Sequence, residues 1–281
     1  MMWGFQLELK KGLRTKKIWA VIIILSLIYV PFFYLLKRTS EELTVTSVMG
    51  LTISFVSGMA MFFLGIVAIV VGATAINGEI EKGTLRVALS KKITRSGYII
   101  GKFLAQIAVF GIAILLATIV EFAGMLYIGV NLTAALVRDL VLINLLLLVV
   151  MVEFVAMGYL LSAFLKSSGT ALGVGIAVFF ILLIFVPLVI SYQVYTHSDT
   201  TSLNDVQKLS DEYNTRYAFY SPMAQFNVIT AHLSKHGTYS GTYRGVAYAI
   251  KERWVNTLLL FMMTAVYFGA AMLRFLRMDL R

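Results

Sequence analysis

The chain has no cysteine, so disulfides and thiolate metal sites are excluded and redox chemistry says nothing about its compartment. Charge is scarce too: 14% of the 281 residues are charged, against 59% hydrophobic, with a mean hydropathy of +0.86. No soluble domain could bury that much apolar surface, and the composition is that of an integral membrane protein. There are three histidines, His197, His232 and His236, none inside a long apolar run. There is also no HExxH and no pair of aspartates within such a run, which removes the usual catalytic sets of membrane-embedded enzymes. The nearest approach to a nucleotide loop is GYIIGKF, Gly97 to Phe103. It lacks both the glycine spacing and the Ser or Thr of a phosphate cradle, so this chain is expected to hold no ATP, cofactor or metal of its own.

What is present is a series of apolar runs, each of about 18 residues or more and able to cross a hydrocarbon core of roughly 30 Å. Six are expected to span: Ile18 to Leu36, Leu51 to Ile76, Ile99 to Ile128, Leu140 to Leu165, Thr170 to Tyr192 and Trp254 to Leu273. The first follows a basic stretch, as a signal peptide would. It ends in Pro31-Phe32-Phe33-Tyr34 without a small-residue cleavage site and reads as a retained helix.

The net charge of +10 does not point to nucleic acid, because the basic residues sit beside the spans and form no patch interleaved with aromatics. Lys10, Lys11, Arg14, Lys16 and Lys17 precede the first span; Lys82, Arg86, Lys91, Lys92, Arg95 and Lys102 fill the second connection; Lys166, Arg274, Arg277 and Arg281 lie on the same side. Both termini and the second connection are therefore expected in the cytoplasm of a multi-pass cell-membrane protein. Trp3, Phe5, Leu7, Leu9 and Leu13 alternate with basic residues, as in an interfacial helix.

The large piece before the sixth span, about residues 191–253, is expected outside. It holds many of the chain's tyrosines, among them Tyr192, Tyr195, Tyr213, Tyr217, Tyr220, Tyr239, Tyr243 and Tyr248, which suits an interface more than disorder. Ser221-Pro222 is a helix-start signal, and Met223, Phe226, Ile229 or Thr230, and Leu233 recur on one face. That helix either lies against or dips into the outer leaflet, or packs as a cap on the spans. His232 and His236 have a ligand-like spacing but no carboxylate or cysteine nearby, and read as surface histidines. The whole chain, residues 1–281, reads as one all-α domain.

The charged segment NGEIEKGTLRVALSKKITRSGYIIGK, Asn77 to Lys102, lies between two spans and must face water. Glu79 to Ser90 is expected to form a helix of about three turns, with Asn77 as N-cap and acids in its first turn. Ile80, Leu85, Leu89, Val87 and Ala88 would form an apolar side, and Glu79, Glu81, Lys82 and Arg86 a charged one. Gly83 marks either a bend or a close backbone approach.

This segment resembles the signature of the ABC-2 type family of ABC transporter permeases. The matching residues are Glu79, Glu81, Gly83, Thr84 and Leu85, then Leu89, Ser90, Ile93, Thr94 and Arg95, then Gly101 and Lys102. Lys92 departs from the pattern, standing where the family usually has proline, which implies a less sharp break before the third span. The resemblance implies a six-span permease whose loop is a coupling helix, with Glu79, Glu81, Lys82, Gly83, Thr84, Leu85, Arg86, Leu89 and Arg95 meeting a separate ATP-binding subunit. It further implies two ATPase subunits that hold ATP and Mg, a second permease subunit with a homodimer as the expected form, and export as the direction. The alternative is a membrane anchor or regulator of an ATPase complex that moves nothing itself.

Within the spans, Glu121, Glu153 and Asn144, with Gln106, read either as a translocation pathway or gate, or as hydrogen-bonded packing between helices. Gly169 and Gly173 form a small-xxx-small face suited to a dimer contact or to internal packing. Pro187 is expected to kink the fifth span.

Overall fold

The computed structural model describes residues 5–6, 8–10, 12, 16–39, 45–89, 93–197, 203–217, 219, 221–231 and 244–278. Outside them fall much of the N-terminal segment, the break at Ser90, Lys91 and Lys92, the His232/His236 pair, Leu233, Tyr220, Tyr239 and Tyr243. All elements among the described residues are helical.

Helix α1 (Lys16–Thr39) stands where the first span is expected. Helix α2 (Val45–Phe55), a π-helical turn (Val56–Ala60) and α3 (Met61–Ala73) then run on as one rod. Two short helices, α4 (Asn77–Glu81) and α5 (Thr84–Leu89), make the charged connection. Next come α6 (Arg95–Tyr127) and α7 (Ala134–Phe164), then α8 (Ser168–Phe180), a second π-turn (Ile181–Phe185) and α9 (Val186–His197). The remaining elements are α10 (Leu203–Tyr217), α11 (Pro222–Thr230), α12 (Val246–Glu252) and α13 (Trp254–Leu276).

Among the described residues five stretches are long and apolar enough to cross a bilayer: Ser47–Ala73, Arg95–Tyr127, Ala134–Phe164, Ser168–His197 and Trp254–Leu276. Most outrun the apolar segments read from sequence because their caps lie beyond the hydrocarbon. The Thr94 side chain accepts from Gly97 N (3.1 Å) at the start of α6, Thr133 from Leu136 N (3.3 Å) at α7, and Ser167 from Thr170 N (3.1 Å) at α8. Pro187 disturbs the Ser168–His197 stretch without ending it. A π-turn stands immediately before it, a widening that accommodates a residue with no N–H to donate.

The centre of the bundle is α7. Of its most apolar window 67% is buried, against 22% for Ser168–His197 and 17% for Trp254–Leu276, so the last two turn most of their surface outward. It packs most extensively on α3 and α13. The α3–α7 crossing is closed by glycine on both sides: a Cβ at Gly72 would lie 2.2 Å from Val155 O, and one at Gly158 would lie 2.6 Å from Ala73 N and Ile69 O. Backbones can meet this closely only where neither residue has a side chain.

In the segment between the Ser168–His197 and Trp254–Leu276 stretches, Ser221 caps α11 by accepting from Ala224 N (3.3 Å), with Pro222 opening the helix as the sequence signals. Every residue of α11 except Asn227 is buried, and the helix packs on α7, α10, α12, α13 and the first π-turn. The described apolar side chains of α11 are spent on contacts with these elements.

Candidate functional site

The connection from Thr74 to Arg95 is tied at both ends to other parts of the bundle. Ser162 Oγ, near the end of α7, accepts from both Ile76 N and Asn77 N at 3.1 Å, and Asn77 Nδ2 donates to Leu165 O at 2.8 Å. Asn77 is therefore the first residue of α4 and not its N-cap, a position held by Ile76. Its amide serves the C-terminus of a neighbouring helix instead, satisfying a carbonyl that helix leaves open. Glu81 Oε1 accepts from Ser168 N at 2.7 Å and so caps the start of α8. At the far end, Arg95 donates to Met278 O at 2.9 Å, just past α13.

The single three-turn helix expected from sequence is two helices. Gly83 adopts φ +67° with no atom within 4 Å of where a Cβ would be, so its role here is the bend, not a close approach. The bend also overturns the expected division into apolar and charged sides. Glu79, placed on the charged side, is 8% exposed, and Leu85 is 1% exposed, whereas Ile80 and Val87 are 39% and 60% exposed. Helical periodicity cannot run through a left-handed residue, so the faces of α4 and α5 are set independently. Glu81, Lys82 and Thr84 face solvent; the side chains of Arg86 and Leu89 lie outside the described set.

Buried Glu79 is held by a cation. Its Oε1 is 3.0 Å from Lys102 Nζ, its Oε2 accepts from Thr84 Oγ1, and the same ammonium is 3.5 Å from Glu8 Oε2. One lysine of α6 thus binds the N-terminal segment to the connection. Lys102 stood in the matched Gly-Lys pair but was not singled out. Glu8, a lone acid among basic residues, and Ser162 were also missed, since nothing local marks them.

Between these elements lies a cavity of about 350 Å³. Val67, Val71, Val109, Phe110 and Ala113 line its apolar part, and Glu79, Glu81, Lys82, Lys102 and Gln106 its polar part.

The polar residues inside the spans divide into two places. Asn144 Nδ2 donates to Glu121 Oε2 and to Leu140 O (3.0 Å), with the Tyr29 ring beside them, and all three side chains are buried. Glu153 is 1% exposed and apart from that pair; its Oε2 has no hydrogen-bond partner among the described residues. Gly169 and Gly173 are exposed, and among the described residues nothing lies within 4 Å of where their side chains would begin. Among the described residues no group of His, Cys, Asp and Glu could hold a metal.

Comparison with known proteins gives two findings. A profile described as "ABC-2 family transporter protein" matches residues 2–280. A probable ABC transporter permease protein NosY from Stutzerimonas stutzeri is 28% identical over 192 residues, covering 65% of this chain and 66% of that protein. The protein of the same description from Pseudomonas aeruginosa is 29% identical over 117 residues, covering 42% and 41%. In these matches the chain spans less than two thirds of the length of either relative.

Proposed function

The chain belongs to the ABC-2 family of transporter proteins, and from that premise we propose that it is the membrane-spanning permease subunit of an ATP-driven exporter. In this reading α1 is the first of six spans, and the N-terminal segment lies in the interface. Both termini and the α4–α5 connection are cytoplasmic, and residues 191–253 lie outside. Two copies of the permease, joined along the exposed Gly169/Gly173 face of α8, carry two ATP-binding subunits that hold ATP and Mg.

The observation that carries this reading is the construction of the α4–α5 connection. Its inner side is bonded to the start of α8, the ends of α7 and α13, and Lys102 of α6, while Ile80 and Val87 present apolar surface outward. A body attached to so many span ends moves with them. An exposed apolar pair flanked by Glu81, Lys82 and Thr84 has the makings of a docking surface. Force applied there by an ATPase would reach the spans as a rigid displacement.

Val87→Asp and Ile80→Asp test the docking at two exposed apolar side chains. Co-purification of the partner ATPase should fall at least about tenfold, as expected from losing one buried apolar anchor and desolvating a charge, while membrane insertion and thermal stability stay at wild-type levels. Unchanged association and ATP turnover in both variants would remove the coupling assignment. The anchor alternative makes a separate prediction: ATP hydrolysis stimulated by the permease with no solute moved in sealed vesicles.

A further inference from the structure

The cavity behind the connection has a polar mouth and an apolar shaft. Its wall on α6 runs from Lys102 to Ala113, about 16 Å at the helical rise, close to half of a hydrocarbon core of roughly 30 Å. Opposite stand Val67 and Val71 of α3. This is the depth of one leaflet, with the headgroup level at the connection.

The chemistry of the mouth selects among headgroups. Lys102 cannot serve as a free anion site, because two carboxylates already neutralise it. What remains unused is acceptor capacity: Gln106 Oε1 is buried with no hydrogen-bond partner among the described residues, and Glu81 uses one oxygen on Ser168 N. A buried acceptor left without a donor is costly, which favours an occupant bearing N–H groups. Lys82 at the rim supplies a cation for a neighbouring phosphate.

We propose that this cavity is a binding site for an aminophospholipid from the leaflet on the connection's side. The primary ammonium donates to Glu81 and, once the Gln106 side chain turns toward the cavity, to Gln106 Oε1; the phosphate meets Lys82, and one acyl chain runs along Val109, Phe110 and Ala113. The site does not depend on the coupling assignment, since it requires no ATPase.

The test uses the full chain, delipidated in detergent, titrated with spin-labelled phosphatidylethanolamine, phosphatidylcholine and phosphatidylglycerol. Phosphatidylethanolamine should bind about tenfold tighter than phosphatidylcholine, which has the charge but no N–H, and tighter still than phosphatidylglycerol. Gln106→Leu should erase most of the preference for phosphatidylethanolamine while retaining chain binding. Ala113→Phe should weaken all three lipids by filling the shaft. If Ala113→Phe lowers the unfolding temperature, the Gln106→Leu comparison decides alone. Equal binding of the three lipids by the wild type means annular lipid only and overturns the proposal. Preference for the anionic lipid, or a Gln106→Leu variant that keeps the full discrimination, does the same.

Discussion

Replacing Lys102 by methionine removes the charge while keeping most of the volume, and so isolates what the ammonium contributes. It faces Glu79 Oε1 at 3.0 Å and Glu8 Oε2 at 3.5 Å, with side-chain exposures of 6%, 11% and 13% for the lysine and the two acids. At an effective dielectric near 20 each attraction is about 5 kcal/mol gross, most of it cancelled by the cost of taking the charges out of water. Deleting the lysine forfeits the attraction and leaves two carboxylates without their common cation. A loss of about 3–5 kcal/mol is expected. The measurement is reversible unfolding of the full chain in mixed detergent micelles, followed by circular dichroism. Glu79→Gln alone should cost less, because Lys102 keeps Glu8. The double variant should recover at least about 1 kcal/mol of the sum, since the neutralised partner no longer needs the lysine. If Lys102→Met unfolds within about 0.5 kcal/mol of wild type, or if the two changes simply add, the ion pair is not what joins the N-terminal segment to the connection.

Two further substitutions probe the spans. Gly158→Ala would place a Cβ 2.6 Å from backbone atoms of α3 that cannot move aside, and should cost about 1–3 kcal/mol in the same unfolding assay. Gly173→Ala, with open space before it, should leave that monomer value unchanged, and a cost as large as that of Gly158→Ala would contradict the described crossing. Asn144→Leu removes the amide donor from Glu121 Oε2 and should cost about 1–3 kcal/mol. Glu153→Gln should be neutral or stabilising, because it removes a buried acid with no hydrogen bond at Oε2 to lose. The reverse order of these last two would show the polar residues to be wrongly paired.

Several features were legible along the chain because they depend on neighbours in sequence. Apolar runs long enough to span are visible by length alone, and Ser221-Pro222 marks a helix start because a cap acts within three residues. Gly83 was legible as a disturbance, but its sense was not, since a bend and a close approach demand the same residue. Glycine spacing is equally ambiguous as a sign of tight packing. Gly169 and Gly173 have the spacing of a helix contact and meet nothing among the described residues where a side chain would begin, whereas Gly72 and Gly158, far apart in sequence, sit where two backbones touch. Of the polar residues in the spans, Glu121 and Asn144 pair across two helices, whereas Glu153 Oε2 has no hydrogen-bond partner among the described residues.

By itself the sequence determined that this chain lives in a bilayer and that a charged connection lies between its second and third apolar runs, because hydropathy and charge are properties of short segments. Only the tertiary structure decided that this connection breaks at Gly83 and turns Glu79 inward onto Lys102. Only it showed that Ser162, Leu165, Ser168 and Met278 anchor its ends, and that a cavity opens behind it. Those partners lie up to 183 positions away, and no local pattern specifies which distant donor will meet an acceptor once the helices have packed.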